Sequence, residues 1–219
     1  MPRLLFEKKG QAIWISHLDL MRLFQRAFKR AGLPLTHTHG FNPRPSVSIA
    51  LPLSVGVQSD CELMDFALDG VCPTNEQIKD LLNAQLVEGI RVKAVYDNGR
   101  KIRDLSLLSC RVYLEYDDSV PECAVTEIDA LFRREQIILP KKTKSGIVEQ
   151  DIIPMIHEIS VARLDGNTIK LDCLICCQNP TLNPSQISLA VATCLPEYAP
   201  SYSRCSRVEV YDMQRSIFR

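Results

Sequence analysis

The stretch that decides the fold is Ile15-Ser16-His17-Leu18-Asp19-Leu20-Met21-Arg22-Leu23-Phe24, because the hydrophobic period changes within it. Before it, residues Arg3 to Ile15 alternate as a strand does, with Leu5, Ala12 and Trp14 among the inward positions. After it, Leu20, Leu23, Phe24, Ala27, Phe28 and Ala31 recur at i, i+3, i+4 spacing, which makes one apolar helical face. Ser16, with Asp19 three residues on, reads as a variant capping box, the serine hydroxyl serving the third helical amide. Gly32 followed by Pro34 stops the helix.

Outward from this helix, Gly40-Phe41-Asn42-Pro43-Arg44-Pro45 reads as a rigid polar turn. Ser46 to Val57 and Glu62 to Leu68 read as strands joined by a Gln58-Ser59-Asp60 turn. A helix from Thr74 to Leu86 and a strand from Ile90 to Tyr96 complete the order β-α-β-β-α-β, the split βαβ or ferredoxin-like unit. Asp97 to Asp104, with Asn98-Gly99, carry no periodicity and predict a linker. The second half repeats the scheme in element order, without residue-level similarity. Its strands are Cys110–Tyr116, Gln136–Leu139, Ile156–Leu164, Thr168–Cys177 and Ser206–Tyr211, and its helices Val125–Arg134 and Pro184–Leu195. The sequence thus predicts an α+β protein of two tandem ferredoxin-like halves with antiparallel sheets, 1–97 and 109–219, around a linker at 98–108.

A chain of 219 residues that is 46% hydrophobic can bury a substantial core. Its 26 Lys+Arg cancel its 26 Asp+Glu, so any argument for an anionic partner rests on local clustering of charge. Charges enter by Arg3 and Glu7, too early for a secretory segment, and no window approaches the roughly 18 apolar residues of a spanning helix. A cytoplasmic protein without membrane contact is expected. Nine cysteines at irregular spacing read as buried or half-buried thiols without structural disulfides.

The densest polar cluster runs from His37 to Ser48, where prolines hold His39, Phe41, Asn42 and Arg44 between a helix and a strand. A pre-ordered loop of this kind suits an anionic or polar ligand, and the plainer reading is a stiff connection with a structural arginine. Arg22, Arg26, Lys29 and Arg30 form a basic flank on the first helix, and Lys141, Lys142 and Lys144 a second cationic segment. From these clusters the candidate contacts for RNA or a protein partner are His17, Arg22, Arg26, His37, His39, Phe41, Asn42, Arg44, Lys141, Lys142 and Lys144, against the alternative of solvated faces. His37 and His39 could share a strand face, but no third ligand is evident apart from Cys61 or Asp60 if the fold brings them close, so no metal or other cofactor is assigned. Cys173 and Cys176 fall on opposite faces of a strand, which favours core thiols over chelation. No nucleophile-base spacing is recognisable, and no catalytic residue is assigned.

From Ile15 to Arg22, and on through Arg26-Ala27 to Ala31-Gly32-Leu33-Pro34, the chain resembles the radical-SAM-associated proteins, a bacterial family of uncharacterised function. These are encoded beside, or fused to, a radical-SAM protein. The Gly40 to Pro45 turn, Leu51-Pro52-Leu53-Ser54-Val55-Gly56, Lys144-Ser145-Gly146 and Asp151-Ile152 belong to the same pattern. The resemblance implies a radical-SAM partner and a role in modifying RNA or a translation component. The CxxxCxxC cluster motif is absent here, which leaves the radical chemistry to that partner.

Three functional classes follow. The first is a non-catalytic accessory or substrate-recognition subunit that contacts RNA, with no DNA binding expected. The second is a metal-independent endoribonuclease, built on His17, His37 or His39 with Lys144 as charge stabiliser, or another RNA-acting enzyme. The third is a protein-protein scaffold without RNA contact.

Overall fold

The computed structural model describes residues 1–39, 41–70, 73–97, 99–143 and 146–219. The chain divides into two units, Met1–Asp104 with Arg219, and Leu105–Phe218. The architecture is mixed α/β with antiparallel sheets.

In the first unit, β1 (Arg3–Lys8) stops sooner than the alternation predicts, and Gly10–Trp14 forms a 3-10 turn. The reason lies at Lys8, which is fully buried and donates from Nζ to the carbonyls of Ile13 at 3.1 Å and Ile15 at 2.7 Å. Charge-assisted bonds of this kind offset the cost of burying an ammonium group and draw the chain into a turn. Trp14, expected inside, is instead 59% exposed, and its ring lies 3.4 Å from where a side chain on Gly56 would begin.

Helix α1 (His17–Arg30) starts at Ser16, whose hydroxyl accepts from the Asp19 amide at 3.2 Å and donates to the Asp19 carboxylate at 2.8 Å. It ends in a Schellman motif: Gly32, at φ +69°, donates to the Lys29 carbonyl, and Leu33 donates to the Phe28 carbonyl at 3.0 Å. Leu20, Phe24, Ala27 and Phe28 face the core, where Phe6 meets Phe24 edge-on at 4.7 Å. Strand β2 is only Val47–Ile49, because Leu51 takes a positive φ and Pro52 follows it, while β3 runs over Gln58–Phe66. Gln58, Ser59 and Asp60, expected in a turn, therefore open β3; Ser59 is buried opposite Lys8. Helix α2 (Asn75–Asn83) carries a full capping box between Thr74 and Gln77, and β4 (Ile90–Tyr96) closes the unit. The sheet order is β4-β1-β3-β2, every pair antiparallel.

Within this unit Arg3, buried in β1, forms a two-bonded ion pair with Asp65 at 2.6 and 3.1 Å and donates to the Arg100 carbonyl at 2.8 Å. Gly89, at φ +83°, closes the turn before β4. A side chain there would meet the Lys9 carbonyl oxygen at 2.3 Å.

The second unit comprises β5 (Leu107–Glu115), α3 (Cys123–Phe132), β6 (Ile138–Thr143), β7 (Gly146–Asp151), β8 (Ile156–Arg163), β9 (Thr168–Cys176), α4 (Ser185–Cys194) and β10 (Tyr202–Tyr211). Its sheet order is β10-β5-β9-β8, again antiparallel. With β6 and β7 set aside, this repeats the first unit's element order and strand order. Those two strands pair only with each other, as a separate hairpin inserted between α3 and β8. Residues 107 and 108, placed in the linker by sequence, are buried in β5: Leu108 is in phase with Cys110, Val112 and Leu114, and Leu107 is buried on the opposite face of the strand. Among the described residues no helix is long and apolar enough to cross a membrane.

The eight described cysteines are all free. Cys173 and Cys110 face each other across β9 and β5, and Cys176 lies 3.4 Å from His157 Nε2. Cys123, expected at least half-buried, is exposed at the start of α3. Burial pushes the thiols of Cys177 and Cys205 up to about 12.

Candidate nucleic-acid interface

The loop after α1 is built as a short arm. Its base is stitched to the end of β3: Thr36 donates to the Ala67 carbonyl at 2.9 Å, Ala67 to Ser46 at 3.1 Å, and Asp69 to Pro34 at 2.8 Å. Leu35 bridges Leu68, His37 bridges Pro45, and Ser46 donates to the Thr36 carbonyl at 2.8 Å. One rung further out, Thr38 donates to the Arg44 carbonyl at 2.8 Å, and the Arg44 amide donates to the Thr38 hydroxyl at 3.0 Å. The arm therefore carries His37, His39, Phe41, Asn42 and Arg44 together, all of them exposed. Phe41 is wholly exposed, and Pro43 and Pro45 restrict the backbone on either side of Arg44. Gly40 lies outside the described residues.

Helical spacing puts Leu18, Arg22, Gln25, Arg26 and Lys29 along one outward stripe of α1. Arg22 is held by Asp19 at 3.1 Å. The Ser16 hydroxyl, and then Arg22, hold the Asp19 carboxyl below its ordinary range. Arg30 is structural, donating to the Gln85 carbonyl at 2.7 Å and to its side chain at 3.3 Å. Arg26 and Lys29 are exposed and make no ion pair within the described residues.

Between the C-terminal half of α1 and the base of the arm lies a cavity of about 550 Å³. Gln25, Lys29, Gly32, Leu33, Pro34, Leu35, His37 and Pro45 line it. Of the residues singled out as contacts by sequence, only His37 is among these, joined by Lys29 of the basic flank. His17 sits in the first turn of α1, about 12 Å of helix rise from Gln25, with its Nδ1 buried and without a hydrogen-bond partner among the described residues. Gln25 escaped the sequence reading because a polar residue on an outward stripe looks like a solvated one. The Schellman glycine, however, marked where the helix turns back to form the wall.

Lys141 belongs to β6 in the second unit, where its Nζ donates to the Thr181 carbonyl at 3.4 Å. Of Lys142 only the backbone, in β6, is described, and Lys144 lies outside the described residues. Among the described residues no three His, Cys, Asp or Glu side chains converge as a metal site would require.

Residues 2–184 match the family profile described as "Uncharacterized protein conserved in bacteria (DUF2344)". The chain belongs to this family. No curated protein matches it. In fold, it is similar to a chain of a Cbf5-Nop10-Gar1 complex, with a TM-score of 0.55 and 11% identity. That likeness covers 95% of this chain and 48% of the other. It is also similar to a chain of an archaeal box H/ACA sRNP Nop10-Cbf5 complex, at TM-score 0.50 and 9% identity over 94% of this chain and 46% of that one. A chain of an H/ACA RNP bound to a substrate RNA containing 2'-deoxyuridine matches to the same extent, TM-score 0.50, 9% identity, 94% and 46%. This member of the family thus spans about half the length of the chains whose fold it shares.

Proposed function

We propose that the chain is a substrate-recognition subunit that contacts single-stranded RNA and works with a radical-SAM enzyme, its two units being ferredoxin-like modules. The observation that carries this reading is Phe41, a wholly exposed aromatic ring on an arm fixed to β3 and accompanied by Arg44. An apolar ring costs free energy in water, and a rigid one beside a guanidinium group suits stacking on a base with a phosphate alongside. Arg22, Arg26 and Lys29 extend the positive charge along α1 of the same unit. The strand orders β4-β1-β3-β2 and β10-β5-β9-β8 support the paired ferredoxin-like reading. Two of the fold-matched chains come from assemblies described as an H/ACA sRNP and an H/ACA RNP bound to a substrate RNA. The radical-SAM partnership rests on the resemblance at Ile15 to Arg22 and Gly40 to Pro45.

The test is a pull-down of the tagged protein from its native extract, with and without nuclease, identifying bound protein and bound RNA. Recovery of a radical-SAM enzyme with a defined RNA that is lost on Phe41→Ala or Arg44→Ala is the expected result. Recovery of the enzyme alone would leave the scaffold reading in place and refute RNA contact.

A further inference from the structure

We propose that the cavity between α1 and the base of the arm holds one unstacked nucleotide of a single-stranded RNA. The proposal rests on the RNA-contacting reading above and assigns the subsite. Four features of the cavity lead to it.

The first is size and shape. About 550 Å³ lies in the range of pockets that enclose one small organic ligand, and is too little for a helix or a folded peptide. The second is the division of its lining. Leu33, Pro34, Leu35 and Pro45 supply apolar surface for the faces of a base, whereas Gln25, Lys29 and His37 supply the polar groups. A glutamine amide offers a donor and an acceptor side by side, the arrangement that reads a base edge, and an imidazole adds one of either kind. The Lys29 ammonium group complements a phosphate, and among the described residues no carboxylate lines the cavity to compete for it.

The third feature is that this polar capacity is unspent. The side chains of Gln25, Lys29 and His37 make no hydrogen bond or ion pair within the described residues, unlike neighbouring Arg22 and Arg30 on the same helix. The fourth is rigidity. The Schellman bonds from Gly32 and Leu33, and the bond from Asp69 to the Pro34 carbonyl, hold the wall in place, so little ordering entropy remains to be lost on binding.

The lining shared with the arm explains why the nucleotide would belong to a strand. His37 and Pro45, which line it, are themselves a paired rung of the arm, and beyond them the arm continues through Thr38 and Arg44 to Phe41. A strand that gives one base to the cavity passes its neighbouring nucleotides over that arm. Phe41 there provides a stacking surface and Arg44 a phosphate contact. Recognition of unstacked bases in this manner is how proteins read single-stranded RNA.

The experiment uses the full chain and a random-sequence pool of 12-nucleotide single-stranded RNAs carrying 4-thiouridine in place of uridine. After irradiation, the attachment points are mapped by mass spectrometry. Cross-links at cavity residues off the arm, such as Gln25, Lys29 or Leu33, together with cross-links at Phe41, are expected. In Gln25→Trp, which fills the cavity from an outward helix position, the cavity cross-links should vanish while those at Phe41 persist. Affinity should fall about tenfold with the melting temperature unchanged. Cross-links confined to the arm, with Gln25→Trp binding as the wild type does, would overturn the cavity assignment and leave the RNA reading standing. Binding of no RNA by the wild type would overturn both. Competition by a mixture of the four nucleoside monophosphates as effective as that by the 12-nucleotide pool would overturn the strand assignment in favour of a free nucleotide.

Discussion

Replacing Phe41 by alanine should separate binding from folding. The ring is wholly exposed and contributes nothing to the core, so its removal should alter stability by less than about 0.5 kcal/mol. If a base stacks on it, the loss is about 1–3 kcal/mol of binding free energy. At about 1.4 kcal/mol per tenfold, this weakens binding roughly 5- to 150-fold. Arg44→Ala should act differently, lowering the slope of log affinity against log salt by about 0.7 for one lost phosphate contact on a single strand. Fluorescence anisotropy with a labelled 12-nucleotide RNA over a potassium chloride series measures both quantities, and far-UV circular dichroism confirms the fold. Binding by Phe41→Ala within twofold of the wild type at every salt concentration would refute the stacking argument.

Three further perturbations test the framework that holds the site. Asp65→Ala leaves the Arg3 guanidinium buried with its Arg100 carbonyl bond but without its carboxylate, and should cost about 3 kcal/mol in urea unfolding. The double change Arg3→Met with Asp65→Leu should cost much less, and equal costs would show that the charge is not the cause. Gly89→Ala should cost more than about 2 kcal/mol, since the positive φ is disfavoured and the new methyl would meet the Lys9 carbonyl oxygen; an unchanged melting temperature would contradict the turn geometry. Cys177 and Cys205 keep their protons up to about pH 12 when folded but release them around the ordinary thiol value of 9.0 when unfolded. The unfolded state then binds fewer protons between those limits, so stability falls as pH rises. By pH 10 the loss is about 1.4 kcal/mol per thiol, and replacing both with serine should flatten the alkaline limb of a urea-midpoint profile.

Local signals made much of the first unit legible. The Ser16 cap, the apolar face of α1 and the glycine stop all act within a few residues, and each stands where the pattern puts it. Tertiary pairing overrode the pattern elsewhere. A buried Lys8 ends β1 by bonding carbonyls five and seven residues on, and its opposite number Ser59 is buried as a consequence, so a polar triplet reads as a turn when it is strand. In the second unit the hairpin of β6 and β7 was half hidden, because Pro140 and the lysines argue against a sheet interior. On a two-stranded arm, with open edges, both are tolerated. The candidate site divides in the same way. The arm's chemistry could be read from its residues, but the cavity wall needed the turn at Gly32 to bring Leu33, Pro34 and Leu35 back beside Gln25.

The chain's one tryptophan is not in its core but on the surface, lying over Gly56 at the entry to α1. Its native emission should therefore sit close to that of the unfolded chain, and intrinsic fluorescence will be a poor gauge of folding. The same placement turns it into a built-in optical probe: whatever covers the start of α1 will shift or quench that single emitter, so docking there can be followed without attaching a label.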